Sequence, residues 1–201
     1  YDWRKGAHDI SFGGEFRIHR SLHWGKIQWA ESLPPDFDPD YKFYQYRGGK
    51  DIASVYFHDF WRLRPAWNFM TDVQLIYNRY RIYDEKYVGT DFKVPYLFVN
   101  PRLGLSYRPP GNWTGYINIS YTSREPRLNN LYDAGSSSVP FLYSSDFGGN
   151  PSPQFKEKST GGYDFSNPLV RPEKLLNLEL GGGVNLRERL TLNGTIFWMD
   201  C

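Results

Sequence analysis

The sequence predicts an all-β protein: an antiparallel up-and-down sheet of about seven long strands that forms part of a transmembrane β-barrel. Three observations predict it. Apolar and polar residues alternate with period two along most of the chain, and no segment keeps a helical spacing against it. The alternating runs reach about 10 residues or more, the length a tilted strand needs to span a bilayer, against about 5–6 for a strand of a globular protein. The links between runs are short and long by turns, so every tight turn falls at one end of the sheet and every long loop at the other.

Taken in order, the first run is "DISFGGEFRIHR", with Ile10, Phe12, Gly14, Phe16 and Ile18 on one face and Ser11, Gly13, Glu15, Arg17 and His19 on the other. The second, Asp51–Leu63, sets Ala53, Val55, Phe57 and Trp61 on one face. The third, Trp67–Ile82, opposes Phe69, Val73, Leu75 and Tyr77 to Asp72, Gln74, Asn78 and Tyr80. In the fourth, "VNPRLGLSYR", Leu103, Leu105 and Tyr107 lie opposite Arg102, Gly104, Ser106 and Arg108. The fifth sets Trp113, Ile117, Ile119 and Tyr121 against Thr114, Asn118, Ser120 and Arg124. The sixth sets Leu176, Leu178, Leu180 and Val184 against Asn177, Glu179 and Asn185, and the seventh sets Leu190, Leu192, Ile196 and Trp198 against Thr191, Asn193 and Thr195. A polar second face suits a water-filled or plugged interior; in a soluble sandwich the inner faces of both sheets would share one apolar core.

The short links lie around Arg64 and Pro65, around Pro109, Pro110 and Gly111, and around Arg187 and Glu188. The long ones are Ser21–Lys50, Tyr83–Tyr96 and Glu125–Lys174. Trp61, Trp67, Tyr107 and Trp113 flank short turns, where an interfacial aromatic girdle belongs. Glu125–Lys174, rich in Gly, Ser, Pro and Asn, reads as a long outer loop entered after a strand has left the membrane.

Composition fits this reading. Aromatic residues make up 18% of 201 residues, with 7 Trp and 16 Tyr. A formal net charge of +2 gives no electrostatic case for nucleic acid. The single cysteine, Cys201, forms neither an internal disulfide nor a zinc cluster. The chain opens on "YDWRKGAHD" and closes on "TIFWMDC", which reads as the middle of a strand, so 1–201 is expected to be a partial β-barrel domain of a longer protein.

The residues offer little for catalysis or metal. His19 and His23 are four apart, but one sits at a strand end and the other in a loop. Asp36, Asp38 and Asp40 begin like a calcium loop, yet Tyr41 stands where its glycine belongs and no Glu follows at the right distance. The glycine runs lack the Lys-Ser/Thr of a phosphate loop, and no nucleophile–base arrangement is assignable. No catalytic residue, metal ligand or cofactor is expected. Binding is expected at the outer end, through Trp24 and Trp29 in the first long loop and Arg124, Arg127, Arg171 and Lys174 at the mouth of the lumen. The arginines suit an anionic iron chelate and the aromatic faces a sugar. Contact with lipopolysaccharide is the plainer use of the same residues.

"YTSREPRLNNLYDA", followed by a variable loop, "PLVRPEKLLNLELGGGV" and "LTLNGTIFWMD", resembles the barrel of TonB-dependent outer-membrane receptors. The likeness rests on the Arg-Glu-Pro step at a strand end, then Pro172, Glu173, Glu179 and Gly181, and on Asn100, Pro101, Arg102, Gly104 and Tyr107 of an Asn-Pro-Arg strand. "HDISFGGEFR" and "SVYFHDFWRL" are similar to two further strands, in the family's order. The resemblance implies a parent barrel of about 22 strands with a plug domain, in the bacterial outer membrane among lipid and lipopolysaccharide. It implies contact with TonB through the plug and uptake of a scarce nutrient such as a ferric siderophore, cobalamin or an oligosaccharide, without enzymatic activity. Another outer-membrane channel or adhesin is the alternative, and a soluble carbohydrate-binding β-module a more distant one.

Overall fold

A computed structural model describes residues 1–33, 35–86, 89–132, 153–186 and 189–201. The strands are β1 (Asp2–Lys5), β2 (His8–Lys26), β3 (Lys42–Arg64), β4 (Trp67–Tyr83), β5 (Phe92–Tyr107), β6 (Trp113–Arg124), β7 (Phe155–Glu157), β8 (Tyr163–Pro168), β9 (Glu173–Leu186) and β10 (Leu190–Asp200). A single helical turn, α1, covers Leu128–Leu131. Eight strands form one open antiparallel sheet in the order β1-β2-β3-β4-β5-β6-β9-β10, and β7 pairs with β8 in a separate hairpin. The seven long strands of this sheet are those the alternation predicts. β1 adds an edge that a four-residue strand is too short to announce by periodicity.

Register carries the alternation across the sheet. Trp61 and Phe69 are paired, as are Val55 and Leu75, Leu75 and Val99, Leu103 and Ile119, Ile117 and Leu180, and Leu180 and Ile196. These side chains make one apolar face, most of it solvent-exposed and interrupted near the short-turn end by Asp59 paired with Thr71. The opposite face carries Arg102 paired with Ser120, Asn118 with Glu179, and His58 with Asp72. The expected division of Leu103, Leu105, Ile117 and Ile119 from Arg102, Asn118 and Ser120 therefore holds. At the short-turn end Trp67 lies 4.3 Å from Tyr107, and Tyr107 5.3 Å from Trp113, so three of the four expected girdle residues form a row of touching rings, while Trp61 stacks on His8 at 5.1 Å.

The long links are shorter than expected, because the strands overrun them. β2 continues to Lys26 and β3 starts at Lys42, with the His23 ring stacked on Tyr46 at 4.8 Å, so the first loop is 27–41 instead of Ser21–Lys50. β5 starts at Phe92, inside the expected loop Tyr83–Tyr96. Glu125–Lys174 is a genuine insertion, but it folds back: α1 and the β7–β8 hairpin lie on the polar face at the long-loop end. There Leu131, Tyr132 and Phe155 meet Tyr46, Tyr80, Ile82, Phe92, Val94, Tyr96 and Phe98 in the main buried cluster. The expected turn residues Arg187 and Glu188 lie outside the described residues, though β9 and β10 are paired up to Leu186 and Leu190.

Candidate functional site at the outer mouth

Alternation dictates that Tyr80, Ile82, Phe92, Val94 and Tyr96 share the polar face of the sheet, yet none of them is charged. On β5 burial alternates strictly from Phe92 to Val99, with the outward Lys93, Pro95, Leu97 and Val99 exposed and the inward residues covered. What covers them is the insertion. Phe155 is 1% exposed, its ring centre 4.8 Å from that of Phe92 and 5.2 Å from that of Phe165 on β8. Tyr132 crosses the Tyr46 ring edge-on at 5.2 Å, and burial pushes its phenol up from its usual value.

A polar cluster stands at the foot of this packing. Glu125, the first residue after β6, pairs with the Lys50 ammonium and accepts a 2.7 Å hydrogen bond from the Asn78 amide. Burial raises the Glu125 carboxyl, but its bonds to Lys50, to its own backbone and to Asn78 outweigh that and hold it below the ordinary glutamate value. Lys50 also lies over the Tyr80 ring at 5.2 Å. The insertion is thus tied to β3 and β4 by a partly buried ion pair with its hydrogen bond, and to β3 and β5 by aromatic contact. Sequence reasoning missed Lys50, Asn78 and Glu125 as a unit, since they come from three separated segments and only the register brings them together.

The expected binding residues do not form one cluster. Arg124 ends β6 at the long-loop end, on the inward face, and is held by Glu173, with Nε 2.6 Å and Nη2 2.5 Å from the same carboxylate oxygen. Arg127 precedes α1, Arg171 precedes β9, and both are exposed. Neither takes part in an ion pair among the described residues. Trp29 is 81% exposed in the first loop. Trp24 is not a loop residue: it pairs with Gln45 within β2–β3, on the outward face, with the Lys42 ammonium 5.6 Å from its ring. Lys174 pairs with Ser123 and so also points outward, because it differs by one residue from Glu173, which pairs with Arg124. In the acidic stretch, Lys26 bonds Asp40 at 3.0 Å and the Asp38 carboxylate accepts the Asp40 N–H at 2.9 Å. No group of three potential metal ligands occurs among the described residues.

Lower on the inward face the β5–β6 ladder runs only from Arg102 to Tyr107. Above it the strands part, leaving a depression of about 430 Å³ beside Asp72, Gln74, Asn100 and Ser120.

A family model described as TonB dependent receptor-like, beta-barrel, matches residues 1–200. The chain superposes on the ferric-catecholate import receptor Fiu from E. coli K12 with a TM-score of 0.59 at 16% identity, covering 99% of this chain and 28% of that one. For the ferric yersiniabactin uptake receptor FyuA from Yersinia pestis the TM-score is 0.54 at 13% identity, with 98% and 26% covered. For the FrpB iron transporter from Neisseria meningitidis it is 0.53 at 20% identity, with 98% and 27% covered. The chain thus spans little more than a quarter of the length of these structures, and the likeness is one of fold. No curated protein matches it.

Proposed function

The chain belongs to the TonB-dependent receptor β-barrel family of the bacterial outer membrane, and we propose that it forms one wall and part of the outer mouth of a receptor that takes up a scarce nutrient. A ferric siderophore is the foremost candidate, with cobalamin or an oligosaccharide the alternatives. In this reading the plug, the remaining strands and the TonB contact belong to other parts of the parent protein.

The observation that carries the reading is the folded insertion. A loop that only linked β6 to β9 would need a few residues, yet this one seats its own aromatic core on the inward wall. Arg127 and Arg171, which form no ion pair among the described residues, flank that core at the level where a ligand enters, and a ferric chelate bearing carboxylates or catecholates would be drawn to them. Arg124 is committed to Glu173 and contributes less. Lys174 and Trp24, which face outward, are not proposed to touch ligand; Trp29 remains a candidate for stacking on a ligand ring.

The test uses the full-length receptor with Arg127→Gln and Arg171→Gln together. Affinity for an anionic ferric siderophore should fall about tenfold or more, and salt should weaken wild-type binding. Unchanged affinity at normal surface levels would remove both arginines from the mechanism. Excising Ser136–Gly162, which takes away β7 and Phe155, should abolish capture while leaving the barrel inserted.

A further inference from the structure

The outward face of β2–β4 changes character at one level. Below it the paired rows are mainly apolar, Phe12 with Phe57 and Val55 with Leu75; the exception is Asp59, next to the aromatic end, which pairs with Ile10 and Thr71 and is bonded to His8 at 2.8 Å. Above it come Asp51 paired with Arg79, and Gly49 paired with Arg81, with Arg20 beside them on β2. Trp61, beside the aromatic row, and Asp51 are ten residues apart on β3. At about 3.3 Å per residue and a tilt of about 35–45°, they differ in height by about 23–27 Å. A barrel's apolar band is about 25 Å tall, so the charged row stands where the outer leaflet's acyl chains give way to headgroups.

At that level the surface is organised. Asp51 is 5% exposed and lies between two guanidinium groups, 2.5 Å from Arg20 and 2.6 Å from Arg79. Gly49 lies under Arg20: a Cβ there would sit 3.1 Å from its Nη1, so glycine leaves room for the guanidinium to lie across the strand. Two cations share one carboxylate, which leaves a positive excess. Arg81 and Lys93 extend it on the next row, where they are paired. Arg81 Nε is buried and has no hydrogen-bond partner among the described residues. Higher still, Arg47 is matched by Asp84 at 3.2 Å. Directly below the two arginines runs a groove of about 160 Å³, with Phe16 and Tyr77 as its sides and Ala53 as its floor.

We infer that this is a docking site for a phosphorylated, acylated lipid of the outer leaflet. The phosphate lies against Arg20 and Arg79, with Arg81 and Lys93 behind it, and one acyl chain descends the groove over Ala53. A soluble anion would make no use of an apolar slot, and an uncharged lipid none of the arginines. The site faces away from the lumen and rests on the outer-membrane setting alone, whatever nutrient is carried.

The experiment is native mass spectrometry of the full-length receptor in mild detergent, with bis-phosphorylated lipid A and phosphatidylethanolamine as probes. Wild type should retain lipid A in preference to phosphatidylethanolamine. The triple variant Arg20→Gln, Asp51→Asn, Arg79→Gln removes the cations without leaving a buried carboxylate unpaired, and should lose about tenfold or more of that retention. Ala53→Leu fills the groove, leaves every charge in place, and should also weaken retention. Arg17→Gln, on the same strand but facing inward and paired with Glu15, should not. Heat-modifiable mobility reports folding; if the triple variant does not fold, Arg79→Gln with Ala53→Leu decides. Retention unchanged in the folded variants overturns the site. Displacement of lipid A by pyrophosphate, with Ala53→Leu indifferent, overturns it too, by reducing it to a phosphate site without a lipid.

Discussion

The side-chain amide of Asn100 pairs with the backbone of Ser123 in both directions: Nδ2 donates to the Ser123 carbonyl at 3.3 Å, and Oδ1 accepts the Ser123 N–H at 2.8 Å. The β5–β6 ladder stops at Arg102, and the next residue, Pro101, has no N–H to offer. Asn100 therefore acts as a substitute peptide group across the gap. Asn100→Ala should destabilise the folded receptor by about 1–3 kcal/mol, because it leaves the buried Ser123 groups without partners. Asn100→Asp, which keeps only an acceptor, should fall between. Urea titration of heat-modifiable mobility measures both.

The apolar face predicts a depth-dependent penalty. Ile117 and Leu103 each lie four residues from the aromatic row, near the middle of the band. Arg at either position should cost about 2–4 kcal/mol, and Arg at Ser120, on the inward face, little. Spin labels at Leu103 and Ile117 should be reached by oxygen and shielded from a polar relaxer; the reverse would invert the two faces.

Acid should release the insertion. The Glu125 carboxyl lies below its ordinary value in the folded protein, so its contribution to docking is fully present at neutral pH and is lost as pH falls below the unfolded value of about 4.5 and through the folded one. Protease cleavage within the insertion should rise over that window while the barrel stays folded. Glu125→Gln should flatten the profile. Lys50→Met leaves a buried carboxylate without its cation, and should loosen the insertion at pH 7 by about 2 kcal/mol, below the roughly 3–5 kcal/mol of a fully buried pair.

Phe155→Ala should do the same without charge. Truncation at this buried position costs about 3–5 kcal/mol, and the loss falls on the docked insertion. Hydrogen exchange should increase in Leu128–Leu131 and Tyr163–Pro168, with barrel strands below Asn100 unchanged.

The sequence disclosed the sheet wherever one face was polar. Leu103 and Arg102, or Ile117 and Asn118, separate cleanly, and the register keeps them apart. It concealed the upper part of β5, where Phe92, Val94, Tyr96 and Phe98 alternate with Pro95, Leu97 and Val99. Apart from Lys93 both faces there are apolar, one covered by the insertion and the other outward, so no alternation shows and the segment reads as loop. Trp24 was misplaced for a related reason: its strand outlasts the membrane-spanning pattern, and a backbone ladder continues without announcing itself in side chains. The Lys50–Glu125 tie was invisible because nothing local links residues 75 apart in sequence.

The two bounded edges of the outward face, touching rings at Trp67, Tyr107 and Trp113 and the guanidinium–carboxylate row at Asp51, also act as a gauge of bilayer thickness. Neither edge can move into hydrocarbon without cost, so the wall resists both sinking and rising, and hydrophobic mismatch must be taken up by the lipid. Reconstitution should therefore be most efficient in short-chain bilayers, whose thickness resembles that of the thin bacterial outer membrane. Chains several carbons longer would draw Asp51 and its arginines toward the acyl region and should slow insertion, an effect that neutralising the row would relieve.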